Sequence, residues 1–414
     1  MSSNRWPLRA ALACIASGAL GASVAAQTAP AFPALLKQAQ ASAPRLALGI
    51  AETRAAEGLA AQAAARPNPT LGLVVENAAG SGPYKDFDGA ETTLSIEQPI
   101  ELGGKRAART SAAQADLAAA RARAAQGQVD FARDLALAYA DAEAAQQRRA
   151  IARDSVDLAQ ADAKVARLLV DNGKEAQVRA VQAEAGLAAA RAELGGAEAE
   201  AETALARLSA LAGSPAAYTA VAGGLLDAAP IVAPPEPAFS PAIAAARAER
   251  DAAQSRITLE RARRTPDLAV SLGVRRFQDE DATAAVFGVS VPLPLFDRNR
   301  GAVAAATANA QAAEARLAMA QAEQDGDRRA ATAQAAAADQ TLDASRQSEA
   351  AAAEAYRLAR VGYDAGRLPL SELLAARRDL IAARGRAVDT KLARVKALAD
   401  LARAQGRMPF GDQP

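Results

Sequence analysis

The residue types that most often carry chemistry in proteins are almost absent from this chain. Its 414 residues include no histidine and a single cysteine, Cys14. Histidine is the commonest proton shuttle and transition-metal ligand, and a catalytic nucleophile needs a neighbouring base or a lowered pKa. Because no such pair is visible, the sequence predicts no catalytic residue, no metal site and no cofactor. It predicts a protein that is not an enzyme.

Three short segments suggest ligand chemistry, but none of their motifs is complete. Gly103 to Lys105 resembles part of a phosphate-binding loop, yet Arg106 stands where that loop needs Ser or Thr. The acidic runs 86–89 and 279–281 lack the ligand spacing of a calcium loop. We therefore predict a turn before a helix at the first segment and acidic surface loops at the other two.

Alternation of apolar and polar residues predicts four strands in two hairpins. The alternating segments are 70–76, 93–98, 268–275 and 287–292, within hairpins 69–99 and 266–293. About ten residues in a tilted strand cross a bilayer. Four strands do not close a membrane barrel, whereas three chains that supply four strands each would give twelve.

Outside the hairpins, Ala-rich segments predict long helices, and the longest of them has no proline. These segments are 31–65, 103–170, 175–212, 238–263, 300–362 and 369–405. Pro99 and Pro292 lie 193 residues apart, and Gly173 and Gly366 are separated by the same 193 residues. This shared offset predicts a tandem duplication of one unit: helix, hairpin, long helix, turn and helix.

Shorter segments frame the two repeats. The predicted organisation is a signal peptide at 1–26, a first repeat at 27–212 with a tip turn at 171–174, a linker at 213–237, a second repeat at 238–405 with a tip turn at 364–367, and a tail at 406–414. The signal prediction follows from a basic start, a short apolar stretch and small residues before Gln27. A membrane anchor, and lipidation at Cys14, are the alternatives for this segment.

Cleavage after Ala26 would leave a mature chain without cysteine and without an apolar run long enough for a transmembrane helix. The formal net charge of +1 includes Arg5 and Arg9, so the mature chain would carry −1. A protein that binds nucleic acid usually has a basic surface. The sequence therefore predicts no nucleic-acid partner.

Ten residues around the first hairpin form a distinctive motif. They are Asn68, Pro69, Glu76, Asn77, Gln98, Pro99, Gly103, Gly104, Lys105 and Arg106. The second hairpin is followed by the related run PLPLFDRNRG at 292–301. Together these segments resemble outer-membrane efflux proteins of the TolC family, and within that family the CzcC-like branch that serves heavy-metal efflux systems.

The resemblance implies a mainly α fold with a small β part. In it, a homotrimer joins a hollow α-barrel of long coiled-coil helices to a twelve-stranded transmembrane β-barrel, with four strands from each chain. The protein would sit in outer-membrane lipid and extend into the periplasm. Its other partners would be a periplasmic adaptor and an inner-membrane RND pump. Its function would be passive export, of heavy-metal cations for this branch.

Three other functions stay open at this point. Two of them are transport: a channel for drugs, and a channel for proteins secreted by a type I system. The third, from a different class, is a structural coiled-coil protein of the envelope that is anchored by its hairpins. Two membrane-length hairpins at duplicated positions favour a channel over such a scaffold.

The resemblance also assigns roles near the tip turns. The pore-entrance candidates are Glu372, Asp364 and Asp171, and the candidates for contact with the adaptor are Gly173, Lys174, Gly366 and Arg367. Three copies of Glu372 would form a ring that favours cations. The alternative for Glu372 is an exposed carboxylate that stabilises a helix N-terminus. Ala375 stands where some relatives have a second entrance carboxylate, and simple solvation is the alternative for Lys174 and Arg367.

Overall fold

The computed structural model describes residues 27–85, 87–228 and 240–410. The predicted signal peptide with Cys14 lies outside the described residues, as do part of the predicted linker and the last four residues. The helices are α1 (Phe32–Ser42), α2 (Pro44–Ala64), α3 (Lys105–Asp171), α4 (Gln177–Ala212), α5 (Pro241–Ala262), α6 (Arg300–Asp364) and α7 (Leu370–Ala404). The strands are β1 (Gln27–Ala29), β2 (Thr70–Glu76), β3 (Glu91–Ile100), β4 (Tyr218–Val221), β5 (Leu268–Phe277) and β6 (Ala282–Ser290).

The predicted class, mainly α with a small β part, is confirmed. One predicted helix, 31–65, is divided into α1 and α2 at Ala43, which has extended φ and ψ angles of −67° and 125°. The cause is Pro44, because a proline lacks an N–H and disfavours helical geometry in the residue before it. Within the described ranges, no helix is long and apolar enough to cross a membrane.

Two helices run the length of the molecule and organise the others. Helices α3 and α6 have 67 and 65 residues, so each is roughly 100 Å long. Next to the strands the helices are ordered α2-α3-α5-α6, and towards the opposite end they are ordered α4-α3-α7-α6. Alanine dominates the buried positions of α3, and small side chains at a contact let helix axes approach closely.

The largest buried side chains form one hydrophobic core around the middle of α3. Short elements, among them β1, α1 and β4, pack there. Phe32, Phe131, Tyr139 and Leu208 are almost completely buried there. Strand β1 pairs in parallel with β4, and Phe410 packs edge-on against Phe32 with ring centroids 6.2 Å apart. The described parts of the predicted linker and tail therefore belong to this core.

A buried carboxylate fixes the connection between the repeats. Glu143 on α3 is only 5% exposed. It accepts hydrogen bonds from the backbone N–H groups of Gly224 at 2.8 Å, Leu225 at 2.9 Å and Leu226 at 3.2 Å. Bonds from N–H groups to a charged acceptor are among the stronger hydrogen bonds in proteins. They pair the backbone N–H groups of Leu225 and Leu226, which are buried, so that these residues have no unpaired donor.

The sheet joins both hairpins in the order β2-β3-β5-β6, and all its pairings are antiparallel. One row of the register consists of Leu71, Ile96, Leu272 and Phe287. These side chains are 47–79% exposed. We call their side of the sheet the apolar face. The opposite, polar face includes residues that are much less exposed, such as Thr93 at 7%. This arrangement is the reverse of a sheet that packs on a protein core.

Candidate functional site

Both tips end a long helix with the same backbone motif. In the first tip, residues 171–176, Gly173 has φ +69° and its N–H donates to the Val170 carbonyl at 2.9 Å. The Lys174 N–H donates to the Leu169 carbonyl at 2.9 Å. This pair of bonds is a Schellman motif, which favours glycine because the residue that ends the helix is left-handed.

The second tip, residues 364–369, repeats this geometry and adds a packing contact. Gly366 has φ +68°, and the Arg367 N–H donates to the Gly362 carbonyl at 2.8 Å. Leu368 then lies over Gly362, where an added Cβ would come within 2.7 Å of the leucine Cδ1. The first tip has Leu169 in place of this glycine. The second tip is therefore held more closely to its own helix.

The predicted entrance residues lie at the ends of the helices and do not converge within one chain. Asp171, Asp364 and Glu372 are all exposed. Glu372 lies in the first turn of α7, where a carboxylate interacts favourably with the helix dipole. Lys174 and Arg367, the predicted adaptor contacts, are also exposed. A ring of entrance charges would therefore need further copies of the chain.

A series of ion pairs joins α3 to α7, and so the first repeat to the second, between the tips and the level of the strands. We call it the ion-pair ladder. Its members are Asp130–Arg403, Arg133–Asp400, Asp141–Lys396, Arg148–Asp389 and Asp162–Arg377. Sequence patterns indicate only charged helix faces here, because the partners lie more than 200 residues apart.

The member of the ladder nearest the tips is the most buried. The side chains of Arg377 and Asp162 are 12% and 22% exposed. Within the described residues, the buried Nε atom of Arg377 has no hydrogen-bond acceptor. Burial, assisted by the charge of Arg378, lowers the pKa of Arg377. Asp162 therefore provides the main compensation for this buried charge.

Six of the ten motif residues lie where β3 passes into α3, at 98–106, which we call the junction. Gln98 Nε2 donates to the Pro67 carbonyl at 3.1 Å. Lys105 Nζ pairs with Asp267 at 2.8 Å. These contacts join the chain before β2 to β3, and the first repeat to the second.

Glu101 and Arg109 form a second connection at the junction. They are ion-paired, and the hydrogen bond to Glu101 raises the pKa of Arg109. Arg109 Nε also donates to the Ala63 carbonyl at 2.9 Å, at the end of α2. The role of Arg109 is not evident from the sequence, since its backbone acceptor lies 46 residues away.

Close packing explains the first glycine of the motif. Gly103 has φ +67°, and a Cβ there would lie 2.5 Å from Thr265 Oγ1. Gly104 has φ +71° and precedes α3. The motif residues therefore form a turn between a strand and a helix, as predicted for this segment, and Arg106 points to an exposed position.

The other motif residues lie at the two ends of the first hairpin. Asn68 and Pro69 lie in the segment directly before β2. At the far end, Asn77 has φ +58° and its Nδ2 donates to Glu91 Oε1 at 3.4 Å. Glu76 ends β2 opposite Glu91. The structure thus places the motif in two groups at opposite ends of the sheet.

Comparison with known proteins identifies the family of the chain. Residues 35–214 and 238–407 match the family described as outer membrane efflux protein. The chain belongs to this family. Each of the two matched ranges covers one repeat. Because the family is one of outer-membrane efflux proteins, this efflux protein is an outer-membrane protein.

The relatives place the efflux protein in the metal branch of its family. It is 43% identical over 392 residues to the nickel-cobalt-cadmium resistance protein NccC of Alcaligenes xylosoxydans xylosoxydans, which covers 94% of this chain and 89% of the relative. It is 46% identical over 275 residues to the nickel and cobalt resistance protein CnrC of Cupriavidus metallidurans, 66% of each chain. The CzcC-like resemblance seen in the sequence is confirmed.

Solved structures confirm the fold. The open-state MtrE outer membrane channel of Neisseria gonorrhoeae superimposes with a TM-score of 0.78 over 92% of this chain and 91% of the other, at 21% identity. The efflux protein therefore has the TolC-like channel fold that its motifs predict.

Proposed function

We propose that this protein is the passive outer-membrane channel of a tripartite RND-type efflux system and that its cargo is heavy-metal cations. The observation that carries the proposal is the exposed apolar face of a four-stranded sheet whose edge strands, β2 and β6, each have one partner among the described residues. In lipid, unpaired strand edges are costly, so only closed barrels persist. Three copies would supply twelve strands and close the ring.

The cargo assignment rests on the relatives. NccC is named for nickel, cobalt and cadmium, and CnrC for nickel and cobalt. The NccC match extends over nearly the whole chain, so it includes the helices as well as the hairpins. A conduit does not need a tight site for its cargo, because conduction requires that a bound ion also leaves.

The tips are the proposed contact surface for a periplasmic adaptor attached to an inner-membrane pump. Their exposed residues Lys174 and Arg367 support this assignment, as does the rigid Schellman geometry behind them. The pump would supply the energy, so the channel itself would catalyse no reaction. Glu372 is the proposed entrance carboxylate.

Growth on graded nickel, cobalt, cadmium, zinc and copper tests the cargo, with dyes and detergents tested in parallel. We expect a deletion strain to become selectively sensitive to metals and the intact gene to restore tolerance. Sensitivity to dyes and detergents with unchanged metal tolerance would contradict the metal assignment and favour a drug channel. A purified trimer without conductance in planar bilayers would favour a structural envelope protein.

A further inference from the structure

Within the described strands, the polar face of the sheet carries four charged side chains. The register pairs Glu76 on β2 with Glu91 on β3, and Thr93 with Arg275 on β5. Glu97 lies on the same face, nearer the helices. The face thus holds three carboxylates and one guanidinium, which is a net charge of −2 per chain.

Arg275 connects three strands at the end of the sheet that is farther from the helices. Its Nη1 pairs with Glu91 Oε2 at 2.8 Å and its Nη2 pairs with Glu76 Oε2 at 3.0 Å. Its Nε donates to Thr93 Oγ1 at 2.9 Å. All three donor nitrogens are therefore engaged, and the guanidinium lies between two carboxylates.

The remaining charges of this region have different surroundings. Glu97 is exposed and has no ion pair among the described residues. Arg276, the next residue after Arg275, points to the opposite face and pairs with Asp281 at 3.0 Å. These two adjacent arginines of β5 therefore lie on opposite faces of the sheet. A substitution of Arg276 is a matched control for the same substitution of Arg275.

Side chains directly opposite in neighbouring strands have Cβ atoms about 5 Å apart. Without Arg275, Glu76 and Glu91 would be two adjacent carboxylates, and paired carboxylate oxygens bind divalent cations. Conduction needs sites that attract an ion but release it again. The guanidinium occupies the position where a passing cation would otherwise be held.

We propose that Arg275 is a specificity-determining residue of the pore: it neutralises the Glu76–Glu91 pair, so that the lumen attracts metal cations without retaining them. The inference rests on the proposed function, since it needs three copies to close the barrel with the polar face inward. The unpaired negative charge that favours cations is then chiefly that of Glu97, which three copies of the chain would arrange in a ring.

Planar-bilayer recordings of the purified full-length protein test this assignment. The variants are Arg275→Gln, its control Arg276→Gln, and the double variant Arg275→Gln with Glu91→Gln. Reversal potentials in a KCl gradient report cation selectivity, and addition of CoCl2 reports retention. We expect Arg275→Gln to raise the permeability ratio of K⁺ to Cl⁻ severalfold and to make the current sensitive to Co²⁺. Arg276→Gln should match the wild type, and the double variant should lose the Co²⁺ block.

Equal selectivity and equal Co²⁺ sensitivity in Arg275→Gln, Arg276→Gln and the wild type would overturn the assignment while the channel itself stands. If Arg275→Gln does not assemble, Glu97→Gln decides the question, because this exposed residue has no packing role. A fall in cation selectivity in Glu97→Gln supports the inference, and an unchanged reversal potential contradicts it. Failure of the proposed function would show differently, as a wild-type protein without conductance.

Discussion

At the scale of single residues, the core around Tyr139 makes stability depend on pH. Burial, with a contribution from the charge of Glu143, raises the pKa of Tyr139, and the hydrogen bond from the Gly223 N–H acts in the opposite direction. A group whose pKa is raised on folding favours the folded state fully below its unfolded pKa. That contribution is lost as the pH rises through the higher folded value.

We therefore expect the melting temperature to fall above pH 10, the ordinary value for tyrosine, more steeply in the wild type than in Tyr139→Phe. The variant loses about 1 kcal/mol at neutral pH because its hydrogen bond is gone. Thermal denaturation from pH 7 to 11 measures both effects. Tyr84→Phe is the control, since Tyr84 is exposed. Parallel pH profiles for the wild type and Tyr139→Phe would refute the prediction.

At the scale of elements, the ion-pair ladder holds α3 against α7, and its members differ in burial. Asp162→Asn leaves Arg377 buried without a counter-charge, so we expect a loss of about 3 kcal/mol in the free energy of unfolding. Asp389→Asn removes the charge of a side chain that is 60% exposed. We expect it to lower the free energy of unfolding by less than about 1 kcal/mol. Thermal and denaturant unfolding of the two variants measure the difference. Equal losses would show that burial of Arg377 is unimportant.

The two faces of the sheet give a second prediction for an element. Leu71 is on the apolar face and 71% exposed, whereas Thr70 precedes it on the polar face. If the apolar face contacts lipid, Leu71→Arg should lower the folding stability in the membrane by about 2 kcal/mol. It should also reduce the amount of protein in outer-membrane fractions. Thr70→Arg is expected to leave that amount near the wild-type level. Similar amounts for both variants would contradict a lipid-facing apolar surface.

At the scale of the whole molecule, exposed apolar residues mark the lateral edges of the helix layer. Val181 on α4 and Leu358 on α6 are 57% and 53% exposed. Each lies eight residues from its tip glycine, Gly173 or Gly366. Within one chain, α3 and α7 separate α4 from α6. In a closed ring, α4 of one copy would lie next to α6 of the following copy.

A double variant with Val181→Cys and Leu358→Cys should therefore cross-link into covalent dimers and trimers when treated with a short bifunctional maleimide. Each single variant should stay monomeric on a denaturing gel, because equivalent positions around a threefold axis are far apart. Removal of the predicted signal peptide with Cys14 would leave no other cysteine to react. A double variant that yields only monomers would contradict closure through these edges.

The sequence determined the parts of this protein that depend on near neighbours. Alternation in 70–76 and 268–275, the glycines that end the long helices and the shared offset of 193 residues predicted the elements. The motif residues around the hairpins carried the resemblance to the family. Periodicity and turn chemistry depend on residues that are close together in the chain, so the sequence alone is enough to predict them. The interruption at Ala43 could also have been read from Pro44.

Tertiary structure alone decided which distant elements meet. Pairing of β3 with β5 joins the two hairpins, and it brings Arg275 between Glu76 and Glu91 although it lies 184 residues beyond Glu91. Asp162 meets Arg377 across 215 residues for the same kind of reason. Such contacts depend on the order of helices and strands around the layer. That order follows from the packing of apolar faces over the whole chain, and no local pattern of residues encodes it.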